Sequence, residues 1–209
     1  MYRVSYLSIN ILERGDNVFM KKIIFLSGIF FLLVMLSFAS IEAQEIKIPF
    51  TAESPIILTN PGQSPEYSIV HTLAQRINLP VKIDFHLEAE GLEGYKTLII
   101  IIGGSGKGLG AAGKNFLDEA ERAEKLIATA QKKGIIIIGM HLGGETRRGP
   151  NSDNMIKLIT PKCQYVIVKA DGNLDGIFTQ ICKENEIPLT EIGKSLELTD
   201  YLKALFLEQ

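Results

Sequence analysis

Residues 97–114 read TLIIIIGGSGKGLGAAGK: an aliphatic, β-branched run empties into a loop holding Gly103, Gly104, Gly106, Gly108, Gly110 and Gly113. A strand without polar alternation is one buried on both faces, which points to a parallel sheet covered by helices. In open sheets of this kind ligands bind beyond the carboxyl ends of the strands. Glycines there permit φ > 0 and let backbone N–H groups approach a ligand closely. The segment predicts a fold class and the place of a site, without naming a ligand.

The rest of the chain alternates in the same way. Strands are predicted at 56–59, 81–86, 97–102, 135–140 and 165–168, with a short sixth after Pro188. Helices are predicted at 65–78, 115–133, 151–160, 174–184 and 196–206. Ser64 and Pro65 suit the N-cap and first position of the first helix. The 115–133 helix turns Phe116, Ala120, Ala123, Ile127 and Ala130 inward, keeps Asp118, Glu121, Lys125 and Lys132 on its other face, and ends at Gly134. Right-handed crossovers then give a three-layer α/β/α domain. Its mainly parallel sheet has five or six strands in the flavodoxin-like order 2-1-3-4-5, with any sixth strand an extended edge. Loops 60–65, 87–95, 103–113, 141–153 and 171–175 would share the site's end of the sheet.

At 209 residues and a formal charge of −2, the chain fits one domain and shows no basic stripe for nucleic acid. Met20-Lys21-Lys22, then IIFLSGIFFLLVMLSF and ASIEAQ, reads as a signal peptide over 20–43 with cleavage near Ala43. An uncleaved anchor is the rival reading, and would be the only membrane association. Residues 1–19 are expected to precede the true start at Met20, leaving 44–209 as a single exported domain. Export makes a Cys163–Cys182 disulfide conceivable, with two buried free thiols as the alternative.

Several motifs nearly fit and fail. Gly108-Leu-Gly110-Ala-Ala-Gly113 matches GxGxxG, but Met140-His141 stands where a dinucleotide fold wants an acid. In a phosphate-binding loop ending Gly113-Lys114, Asn115 replaces the magnesium-binding hydroxyl. Ser105 resembles a nucleophile elbow with Lys107 in place of the second glycine. The 3 His are dispersed, and Asp171, Asn173 and Asp175 lack the closing glutamate of a calcium loop. No metal or cofactor is expected, and those three residues are read as a turn and helix cap.

More distinctive is His141-Leu-Gly143-Gly144-Glu145-Thr-Arg147-Arg148-Gly149-Pro-Asn-Ser152-Asp153. Adjacent arginines offer bidentate donors to carboxylate or phosphate, with Glu145 and Asp153 placed to hold them. The same residues also suit an internal salt-bridge cluster that pins the loop. His141 is either a ligand contact or a hydrogen-bonded structural residue.

The GQSP segment at 62–65, GGSGKGLGAAG at 103–113, HLGGETRRG at 141–149, Ser152-Asp153, Asp175-Gly176 and Ile187-Pro188-Leu189 resemble a family of exported bacterial proteins classed as a domain of unknown function. The resemblance spans about residues 55–205. It implies export and one α/β domain, and it transfers no catalytic residue. The expected function is binding of a small, anionic ligand by Gln63, Ser64, Gly104, Ser105, Gly106, Lys107, Gly108, His141, Gly143, Gly144, Glu145, Arg147, Arg148, Ser152 and Asp153. The alternatives are a hydrolase or transferase using Ser105 or His141, and a partner-docking structural protein.

Overall fold

The computed structural model describes residues 25, 26, 48 and 50–207. The chain divides into two compact units, Met1–Glu45 and Ile46–Gln209, and the sheet belongs to the second. The expected signal peptide and its cleavage point lie outside the described residues apart from Phe25 and Leu26, which are helical and exposed. Among the described residues no helix is long and apolar enough to cross a membrane.

Six strands form one sheet: β1 (Ile56–Thr59), β2 (Val81–Ile83), β3 (Thr97–Ile101), β4 (Ile136–His141), β5 (Tyr165–Lys169) and β6 (Leu189–Ile192). They lie in the order β2-β1-β3-β4-β5-β6, and every pairing is parallel. The expected flavodoxin-like order is thus extended by one strand. β6 is no frayed edge, since Leu189 to Ile192 pair in register with Val166 to Lys169.

Residues of successive parity feed two cores, as the pleat requires. Leu98, Ile100, Ile137, Val166 and Val168 face one cluster with α3 (Phe116–Lys133), α4 (Pro150–Ile159) and α5 (Ile177–Glu184). Ile56, Leu58, Ile99, Ile101, Ile138, Met140 and Ile167 face the other with α1 (Tyr67–Arg76) and α6 (Leu198–Phe206). The helices switch faces after β3, so the loops following β1 and β3 diverge at the sheet's topological switch point.

Three local expectations are corrected. α1 starts at Tyr67 with Glu66 as its N-cap, because Ser64 directs its hydroxyl to the Glu66 carboxylate instead of to a helix N–H. β2 stops at Ile83, short of His86. The glycine loop is not all loop: Gly106–Ala111 forms a short helix, α2, with Ser105 as its N-cap accepting from Gly108 N at 3.0 Å. The local cap outweighs three glycines' poor helix propensity. Where caps were read, α3 begins on Asn115, whose side chain accepts from Asp118 N, and ends on Gly134 at φ +67°.

Cys163 and Cys182 are free thiols buried in the first core. Burial and the neighbouring Cys182 raise the pKa of Cys163, and burial pushes Cys182 up to about 11. Thiolate is the reactive form, so both should resist alkylation near pH 8 in the folded protein and react fully in urea. Because the unfolded thiols ionise near 9.0 and the folded ones do not, their stabilising effect is lost as pH rises from there. Rapid native-state labelling at pH 8 would contradict this packing.

Candidate functional site

The loops after β1, β3, β4 and β5 interlock at the carboxyl end of the sheet, and glycines make the interlock possible. Gly62, at φ +82°, packs against Gly103, whose carbonyl oxygen a Cβ would strike. Its own carbonyl accepts from Ser105 N at 2.8 Å. A Cβ on Gly108 would lie 2.5 Å from Gln63 O, and one on Gly104 would lie 2.7 Å from the Asn151 backbone. Gly62, Gly104 and Gly108 therefore clear space for neighbouring protein, whereas a Cβ on Gly110 or Gly113 would meet open space. The Gly62–Gln63 turn of the β1 loop packs directly on the β3 loop at the switch point.

A buried carboxylate ties this turn to the loop after β4. Glu66 Oε2 accepts from Leu142 N at 2.5 Å and Gly143 N at 2.9 Å, and Oε1 accepts from Ser64 Oγ at 2.9 Å. His141 is fully buried beside it, its Nδ1 3.8 Å from Glu66 Oε2 and donating to Ile102 O at 2.8 Å. Gly172 closes over the His141 ring, where a Cβ would come within 2.7 Å of Cδ2.

A second carboxylate pins the turn from α3. Glu119 accepts Arg122 Nε at 3.0 Å and Nη2 at 2.8 Å, together with Gln63 Nε2 at 3.1 Å and Gly62 N at 3.4 Å. Arg122 Nη1 also donates to Leu87 O at 2.8 Å. Burial pushes the Glu119 pKa up, but the Arg122 hydrogen bonds and charge, helped by Gln63 and Gly62, hold it below the usual carboxylate value.

The two arginines part company. Arg148 donates Nε to Asp153 at 2.8 Å, grips Asp175 through Nη1 at 2.9 Å and Nη2 at 2.7 Å, and gives Nη1 to Gly172 O as well. It is the internal clamp, joining α4's first turn to the loop after β5. Asp175 foremost, through its hydrogen bonds, raises the Arg148 pKa. Arg148 in turn lowers Asp175 to about 2. Arg147, by contrast, is exposed and lies over Gly143. Among the described residues no acidic side chain pairs with Arg147 or with the exposed Lys107.

The sequence-predicted residues thus converge on one rim with divided tasks. Gln63, Ser64, Gly104, Gly108, Gly143 and Gly144 are framework. Ser105 caps α2, and Ser152 Oγ, buried, accepts from Gly104 N at 3.0 Å and donates to Arg147 O at 2.6 Å. Asp153 holds Arg148 as expected. Glu145 does not: it is exposed, and Asp175 takes the place expected of it. Among the described residues no hydrogen bond joins Ser105 to His141: the serine hydroxyl accepts from Gly108 N, and the imidazole meets the Ile102 and Gly144 carbonyls. Lys107, Gly106 and Arg147 remain open to solvent.

Glu66, Glu119 and Arg122 escaped the sequence reading. For the last two a signal existed, since 119, 122, 123, 126, 127 and 130 fall on the buried stripe of α3 and charges there demand partners. Glu66 offered none, because its partners lie 76 and 77 residues away.

Two expectations test this construction. Gly62→Ala meets both a positive φ and a collision, and should cost about 2–5 kcal/mol in urea unfolding. Gly113→Ala, at φ +64° with open space around it, should cost only about 1–2 kcal/mol. Equal losses would remove the loop–loop contact as the reason for Gly62. The depressed Asp175 stabilises the fold above its ordinary value of 3.8 and loses that contribution as pH falls towards 2. Asp175→Asn should lose stability at pH 7 and show a flatter stability profile between about pH 4 and 2. An unchanged acid limb would dismiss the clamp.

Comparison with known proteins places this geometry in context. No curated protein matches the chain. Among solved structures, a psychrotrophic esterase EstA from Pseudoalteromonas sp. is 14% identical, with 66% of this chain and 76% of that chain covered and a TM-score of 0.29. A GDP-L-fucose synthetase from Naegleria fowleri bound to NADP is 12% identical over 72% of this chain, which spans 53% of that one, with a TM-score of 0.32. Likenesses this distant carry nothing about activity. Residues 53–206, which contain the whole sheet and every loop of the rim, match the family model "Domain of unknown function (DUF6305)", and the chain belongs to that family.

Proposed function

We propose that the protein is an exported module that binds a small anionic ligand at the rim between the β3 and β4 loops. Arg147 and Lys107 supply the charge, and the exposed backbone around Gly106 supplies neutral donors. One observation carries the reading: of two adjacent arginines, Arg148 is consumed by Asp153, Asp175 and a carbonyl, whereas Arg147 is exposed and has no acid paired with it among the described residues. A guanidinium held over a rigid glycine turn, with its planar fork unoccupied, suits carboxylate or phosphate. The leader-like 20–43 segment supports the exported location. Arg148 moves in this reading from ligand contact to the residue that fixes the loop.

The test is a thermal-shift titration of the full chain with inorganic phosphate, sulfate, citrate, succinate, sugar phosphates and neutral sugars. A ligand at about a hundred times its Kd adds roughly 2.7 kcal/mol, or roughly 5–10 °C for a domain of this size. Arg147→Ala should keep the ligand-free Tm and weaken anion binding by about 1.5–3 kcal/mol. Arg148→Ala should lower the ligand-free Tm itself. Anion binding that survives Arg147→Ala unchanged, or a panel on which only neutral sugars act, would overturn the proposal.

A further inference from the structure

Both ring nitrogens of His141 have acceptors as their hydrogen-bond partners. Nδ1 lies 2.8 Å from Ile102 O and Nε2 lies 3.4 Å from Gly144 O, while Glu66 Oε2 stands 3.8 Å from Nδ1. The ring is otherwise enclosed by Gly172 and tilted against Phe178 at 5.5 Å. A neutral imidazole carries one unprotonated nitrogen that wants a donor. Here that nitrogen would turn its lone pair on a carbonyl oxygen, with no water-exposed face to escape to. Both nitrogens find partners only if both carry protons.

We propose that His141 is a buried imidazolium with Glu66 as its counter-charge, and that the pair latches the loop that presents Arg147. The latch follows from the other bonds of Glu66. The same Oε2 that faces the ring holds Leu142 N and Gly143 N, and Gly143 lies under the Arg147 side chain. Loss of the ring proton leaves a buried carboxylate without its nearest cation and sets two lone pairs against each other. The Glu66 bonds to the loop are therefore reinforced while the ring carries both protons. The charged groups around it are few. α1's cap contributes Glu66, and the β5 loop contributes Asp171, which packs on Gly144 and is engaged by Lys169. Arg148 reaches Gly172 O, and α5 offers only Phe178. The inference does not rest on the anion reading, because it concerns charge and loop position alone.

The experiment is a long-range proton–nitrogen spectrum of the ¹⁵N-labelled full chain, any affinity tag removed, recorded across a pH series. The sequence holds only 3 His, and the exposed His86 and half-buried His71 serve as internal references. At a pH where those two each show one unprotonated ring nitrogen, His141 should show two protonated ones. The Leu142 and Gly143 amide resonances should then shift in step with His141 as it finally titrates. In Glu66→Gln, His141 should carry an unprotonated nitrogen at the same pH while His71 and His86 stay unchanged. An unprotonated His141 nitrogen in the wild type at that pH overturns the charge assignment. Two protonated nitrogens persisting in Glu66→Gln overturn Glu66 as counter-charge, and amides indifferent to His141 overturn the latch. Should Glu66→Gln fail to fold, the wild-type series decides the first and last points by itself.

Discussion

One buried carboxylate ties the loops at the carboxyl end of the sheet to one another. Glu66 stands at the N-cap position of the first helix, and its carboxylate, instead of capping that helix, accepts two backbone N–H groups from the loop after β4. Those N–H groups would otherwise be buried donors without partners, each costing about 1–3 kcal/mol. The loop after β4 in turn carries Arg147, Arg148 and the start of α4. Removing the carboxylate would leave both N–H groups without this partner. The rim's placement beyond the strand ends follows from the fold, since that is where the chain must leave the sheet and where loops from both faces meet.

The glycines act in the same cause. They were expected to open space for a ligand, and at Gly62, Gly104 and Gly108 they open it for neighbouring backbone. Glu119 with Arg122, and Arg148 with Asp153 and Asp175, add two charged clamps at the margins. At this rim, among the described residues, Arg148 is paired with acids whereas Arg147 and Lys107 are not. Charged groups held in place without an internal partner are available to an outside one.

Reading the sequence found the elements because their signals are local. Apolar runs marked the central strands, and Gly134 closed the helix predicted from 115. It misjudged what depended on distant contacts. Ser64 has the right chemistry for a cap, yet Glu66 diverts its hydroxyl. Glu145 stands next to the arginines in sequence, whereas Asp175, a strand and a helix away, is next to them in space. A short helix formed inside the glycine loop because one serine cap at Ser105 outweighed propensity.

The sequence by itself determined a parallel α/β domain, the end of the sheet at which chemistry would gather, and the loops that would meet there. These follow from periodicity and chain connectivity, which act over a few residues at a time. Only the tertiary structure decided which rim arginine is paired with acids among the described residues, that Glu66 and His141 lie together in the interior, and that the β1 and β3 loops pack on each other. Those outcomes depend on which buried donor finds which acceptor across tens of residues. Folding settles that pairing, and no spacing along the chain encodes it.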